Sequence, residues 1–113
     1  MTYVADTVDG FIRAAIMPGV LGETINLGTG EIFSIGEFAT RILALMECSK
    51  PIVHDAARDR PEKSEVMKLA SDNRKAARLL NWQPVTKLDD GLRKVIEFIS
   101  AHPALFAPES YTV

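Results

Sequence analysis

The chain has 113 residues, enough for one domain with a modest core. Its 47% hydrophobic and 25% charged side chains exclude a disordered chain, and 13 basic against 15 acidic residues, a net charge of −2, leave no nucleic-acid footprint. The single cysteine, Cys48, excludes an intrachain disulfide and suits a buried, inert thiol in a reducing cytoplasm; MTYVADTVDG lacks the pattern of a signal peptide, and Arg13 interrupts the best apolar run, so no membrane span is expected.

In chain order, ADTVDGFIRAAIM places Val8, Phe11, Ile12, Ala15 and Ile16 at helical spacing, with Asp6 or Thr7 as N-cap and Pro18-Gly19 closing the segment. Thr24 to Leu27 is rich in β-formers and reads as a short strand ending at Gly28. Ser34 to Glu37 forms a capping box that opens a second helix, whose apolar stripe is Ile35, Phe38, Ala39, Ile42, Leu43 and Met46. Two more short strands are predicted, Pro51 to His54 and Glu65 to Leu69, joined by a charged loop containing Pro61. A third helix follows in DNRKAARLLNW, capped by Asp72 and stopped at Asn81, a residue that tolerates the left-handed conformation. The last helix takes Thr86 as cap, Asp89 and Asp90 in its first turn, and Leu88, Leu92, Val95, Ile96 and Ile99 toward a core, and ends at His102-Pro103. The expected class is therefore α/β, with about four helices and three short strands in a single unit, 1–113. Three short strands make a poor independent sheet, and Thr24 to Leu27 would sit better at the edge of a larger one carried elsewhere.

The stretch INLGTGEIFS raises the question of a dinucleotide-binding turn, for which the fingerprint is G-x-G-x-x-G with an acidic residue about twenty positions on. Gly28 and Gly30 fit, but the third place is Phe33, and Cys48, Ser49 and Lys50 stand where the acid is expected. The two glycines read better as a tight turn between strand and capped helix. His54-Asp55 and His102 lack zinc-ligand spacing, so no metal site is expected. Trp82 is expected to pack the end of its helix against the core.

Three phrases together resemble the C-terminal portion of the NAD-dependent epimerase/dehydratase family, the extended short-chain dehydrogenases that act on nucleotide sugars. TYVADTVDGFIRAA looks like that family's RDFxYVxDxVxGxxxA, begun just after its Arg-Asp. INLGTGEIFSIGEFA resembles NxGxGxxxSIxE, and RPEKSEVMKLASDNRKAARLLNWQPVTKLDDGL is similar to RPxxSEVxxLxxDxxKAxxxLGWxPxxxLxxGL, with Asn81 where the family has Gly. The last pair of motifs is nearest to the sugar-nucleotide 4,6-dehydratases.

The resemblance implies the substrate-binding part of an extended Rossmann-type enzyme without its dinucleotide-binding domain. It implies that Arg60 contacts the diphosphate or adjacent ribose of a nucleotide sugar and that Glu65 accepts hydrogen bonds from ribose hydroxyls. The plainer reading of this loop is a solvated surface on which Arg58, Arg60, Glu62, Lys63 and Glu65 pair or hydrate. The family's catalytic Tyr-x-x-x-Lys has no counterpart: Thr7 stands four residues after Tyr3, and Tyr111 lies two from the end. No catalytic, cofactor-binding or metal residue is therefore assigned, and NAD(P) is expected on the parent protein rather than on this chain alone. The implied partners are a nucleotide diphosphate sugar and an N-terminal Rossmann domain, with self-association of the isolated chain and no nucleic acid or membrane. The alternative is a free-standing, non-catalytic binding or interaction module derived from the family.

Overall fold

The structure is a computed structural model that describes residues 1–53 and 70–106. Among these residues it has four helices, α1 (Val4–Ile16), α2 (Ile35–Leu45), α3 (Arg74–Leu80) and α4 (Leu88–Ala101), and a short 3-10 turn at Pro103–Leu105. No strand occurs among the described residues, which overturns the expected α/β class with three short strands. Thr24 to Leu27 keeps the period-two pattern of a strand, with Ile25 and Leu27 packed against the core while Thr24 and Asn26 are exposed. Among the described residues it has no neighbour to exchange backbone hydrogen bonds with, and alternation without a ladder is not a strand. Pro51 to Val53 is likewise irregular. His54 and the predicted strand Glu65 to Leu69 lie outside the described residues.

The core is small. Ala76, Leu80 and Trp82 are buried together, with Ala14, Met17, Val20, Ile25 and Leu27 packed against them. Its polar counterpart is Asp6, only 4% exposed. The Asp6 carboxylate accepts hydrogen bonds from the Thr86 backbone N–H (3.0 Å) and hydroxyl (3.2 Å), and its carbonyl accepts from Trp82 Nε1 (2.9 Å). One residue of α1 thereby grips both ends of the connection between α3 and α4. Arg13 adds a second tie, donating from Nη1 to the Asn81 carbonyl at 2.8 Å while its Nε pairs with Asp9.

These uses displace two expected caps. α1 begins earlier than expected, at Tyr3, which makes no side-chain cap bond, so neither Asp6 nor Thr7 caps it. α4 is capped from Lys87 because the Thr86 hydroxyl is turned to Asp6. At α3 the N-cap is Asn73, and Asp72 acts one residue upstream. Its carboxylate takes the Arg74 guanidinium and backbone N–H, which hold it down to about 2. The Ser34–Glu37 capping box forms as expected, and Asn81 ends α3 with φ 49°. Hydrogen bonds from Ser34 keep the Glu37 carboxyl below its ordinary value. A carboxyl so lowered adds stability above its unfolded-state pKa, and that stability is lost as pH falls through the folded value.

The Gly28–Gly30 turn is locked onto the start of α3. A Cβ at Gly28 would overlap the Ser71 Cβ and stand 2.6 Å from its Oγ, so only glycine permits this approach. Asn73 Nδ2 donates to the Gly28 carbonyl at 2.8 Å, and Gly30 has φ +76°. Glu31 N–H then donates to Thr29 Oγ1 at 3.2 Å, closing the turn.

Two stability predictions follow from these contacts. Asp6→Ala strips the acceptor from a buried N–H and a hydroxyl and is expected to cost about 2–4 kcal/mol, whereas Asp9→Ala, which breaks a half-exposed ion pair, should cost less than about 1 kcal/mol. Urea unfolding of the two variants side by side checks the ranking, and equal losses would refute it. Gly28→Ala should cost about 1–3 kcal/mol by overpacking against Ser71. Adding Ser71→Gly, which removes the struck atoms, should recover most of that loss in the same assay.

Candidate functional site

The Gly28–Glu31 turn stands between two hollows. On one side is an apolar cavity of about 280 Å³ formed where Tyr3, Phe33, Phe38, Leu88, Leu92 and Val95 meet. Tyr3 packs there against Gly91, and Lys94 Nζ lies 4.9 Å from its ring centroid, on the face of the ring. On the other side is a cleft of mixed character and about 370 Å³, in which Thr2, Asn26, Thr29, Glu31 and Ser71 stand beside the apolar Met1 and Leu27. Met1, Thr2, Thr29 and Glu31 line both, so this strip is the wall that separates them. Ala70, where the described chain resumes after residue 69, also lines the mixed cleft.

Arg60 and Glu65, the two residues that the motif resemblance implies for substrate binding, lie in 54–69, outside the described residues, as do His54 and Asp55. Among the described residues no group of three His, Cys, Asp or Glu side chains is placed to hold a metal ion. Cys48 is half-buried, and His102 stacks on Phe98 with its Nδ1 2.9 Å from the Phe98 carbonyl. No helix among the described residues is long and apolar enough to cross a membrane. Asn26, Glu31 and Ser71 were not singled out from the sequence. Their signal was the set of polar residues flanking the Gly-x-Gly turn, which was read for its glycines alone.

The turn does not fit a dinucleotide. A pyrophosphate on a glycine turn needs the open N–H groups and positive end of the following helix. At α2 that end is taken: Glu37 N–H donates to Ser34 Oγ at 3.1 Å, and the Glu37 carboxylate returns to accept from Ser34 N–H at 2.7 Å. The Ser34 and Glu37 N–H groups are thus already bonded, a carboxylate stands at the mouth of the helix where it repels a phosphate, and Gly28 spends its missing Cβ on Ser71. The glycines are structural.

No family model matches the chain. It is, however, 35% identical over 99 residues to UDP-glucuronic acid decarboxylase 1 of Danio rerio, covering 87% of this chain and 22% of that protein. It is 33% identical over 97 residues to UDP-glucose 4-epimerase of Mycolicibacterium smegmatis, covering 85% of this chain and 29% of the relative, and 33% identical over 92 residues to GDP-mannose 3,5-epimerase 1 of Oryza sativa, covering 81% and 22%. Among solved structures, an epimerase of the methanogen Methanothermobacter thermautotrophicus superposes with a TM-score of 0.81 at 30% identity, over 92% of this chain and 30% of that one. The chain thus spans between a fifth and a third of the length of these proteins. What they share with it, in sequence and in fold, makes this chain a member of the NAD-dependent epimerase/dehydratase family that corresponds to the family's C-terminal part.

Proposed function

We propose that this chain supplies the nucleotide-diphosphate-sugar side of an NAD(P)-dependent epimerase or dehydratase, with the cofactor and the proton-transferring residues carried by a Rossmann domain outside it. The supporting observation is the polarity of α1, which is reversed relative to the described body of the protein. Asp6 and Gly10 are buried and Arg13 is bound to backbone carbonyls, while Val8, Phe11, Ile12 and Ile16 face outward, Phe11 66% and Ile16 71% exposed. A helix with its apolar side outward is built to be covered on that side. Fully burying each such side chain is worth roughly 1.5–3 kcal/mol, so the uncovered face is a standing drive toward a further domain, or toward self-association when that domain is absent. A free-standing module would instead carry a polar, self-sufficient surface there, and α1 does not.

Within this reading Arg60 holds the diphosphate or adjacent ribose through its planar fork of donors, and Glu65 accepts from ribose hydroxyls. Within the same reading the protein works in the cytoplasm, the reducing compartment that suits its single cysteine. The relatives act, by name, on UDP-glucuronic acid, UDP-glucose and GDP-mannose, which makes these the ligands to try. The 4,6-dehydratase subfamily suggested by the RPxxSEV and DxxKA motifs is a finer assignment than these three relatives share.

The test is calorimetric titration of the three nucleotide sugars into the native gene product and its Arg60→Ala variant. At least one should bind, and Arg60→Ala should weaken it about tenfold or more, the loss of one charge-assisted contact. Unchanged affinity removes Arg60 from the site, and binding of none of the three removes the nucleotide-sugar reading.

A further inference from the structure

We propose that the cleft beside the Gly28–Glu31 turn is a polyol subsite, in which Glu31 and Asn26 recognise hydroxyl groups of the ligand while its phosphates lie elsewhere. This inference rests on the nucleotide-sugar reading above and assigns a part of that ligand to a part of the wall.

At about 370 Å³ the cleft is at the small end of ligand pockets and suits one ring rather than a whole nucleotide sugar. Its described polar side chains are hydroxyls (Thr2, Thr29, Ser71), an amide (Asn26) and a carboxylate (Glu31), with no lysine or arginine among the described residues that line it, and Met1, Leu27 and Ala70 add the apolar surface on which the carbon face of a sugar ring can rest. A diphosphate offers acceptors only and needs donors and positive charge, so a wall carrying a carboxylate repels it. A sugar hydroxyl both donates and accepts. It can give its proton to the carboxylate or the amide oxygen and receive one from a hydroxyl or the amide nitrogen, which matches this set group by group. Thr29 Oγ1 already accepts from the Glu31 N–H, so its own proton is directed to another acceptor. The wall is also held in place from behind: Ser71 is seated against Gly28, and Asn73 holds the Gly28 carbonyl at 2.8 Å. A ligand therefore meets a pre-formed edge, and ordering costs little on binding.

The sign of a charge change decides the matter. Glu31→Gln and Glu31→Ala alter an exposed side chain, so the fold is preserved, and a thermal melt verifies that. If hydroxyls occupy the cleft, Glu31→Ala should weaken the bound nucleotide sugar about tenfold, with Glu31→Gln in between. If phosphates occupy it, removing the negative charge should tighten binding. Glu97→Gln, an exposed carboxylate on α4 that lines neither hollow, controls for the change in overall charge and should leave affinity unchanged.

UDP-glucose and UDP, or GDP-mannose and GDP, are titrated in parallel. A loss confined to the sugar-bearing ligand assigns the hexose hydroxyls, and an equal loss on the diphosphate assigns the ribose. Tighter or unchanged binding in Glu31→Gln, together with weaker binding in Arg60→Ala, overturns the polyol subsite and leaves the nucleotide-sugar reading standing. Failure of the unaltered protein to bind any nucleotide sugar overturns both.

Discussion

Asp6 is the side chain on which the described structure depends. It sits in the first turn of α1, where a carboxylate is ordinarily stabilised by the helix N-terminus and left in water. Here it is buried, and that is tolerable because both its oxygens have partners, the N–H and hydroxyl of Thr86. The same residue's carbonyl holds the Trp82 indole N–H, so the largest side chain in the core is fixed by a backbone atom of α1. Removing the carboxylate leaves donors without acceptors, a cost that apolar contacts nearby cannot offset. Helices α1, α3 and α4 are consequently held in one arrangement by polar contacts, even though the apolar core they share is small.

That small core explains the shape. The Cα radius of gyration is 17.2 Å, against about 13 Å for a compact chain of this length. The large apolar side chains of α1 and those at the end of α4, Phe98 and Ile99, face outward rather than inward. Polar ties such as Asp6–Thr86 and Arg13–Asn81 specify how the helices meet, and much of the apolar surface that would ordinarily supply the driving force is exposed. The chain spans 22% to 30% of the length of these relatives.

Local rules were legible in the sequence and long-range ones were not. The capping box at Ser34–Glu37 and the left-handed stop at Asn81 each involve residues within four positions of one another, and both are found where the sequence puts them. Asp6 and Thr86 satisfy the same local rule for caps, yet each abandons it for a partner 80 positions away, which no window of neighbours reveals. Thr24 to Leu27 failed for the opposite reason: its alternation is real, but a strand is a property of two segments and the described residues supply only one. The left-handed Glu47 that closes α2, with φ 51°, carries no sequence signal, since glutamate rarely takes that conformation. The candidate site divides the same way. Arg60 and Glu65 are implied by motif resemblance alone and lie outside the described residues, whereas Glu31, Asn26 and Ser71 meet only once the chain folds Ala70 and Ser71 against the glycine turn.

The glycine turn shows why a short motif cannot be read without its surroundings. Gly-x-Gly marks a place where backbone must be approached closely, and it says nothing of what approaches. In a dinucleotide site the approaching group is a phosphate, and the next helix keeps its N–H groups open for it. Here the approaching group is Ser71, and α2 has closed its own N-terminus with Glu37. Charge carries the distinction further. The turn and its flanks present Glu31 and Glu37 to solvent, and two carboxylates beside the glycines disfavour the phosphate that a dinucleotide would bring there.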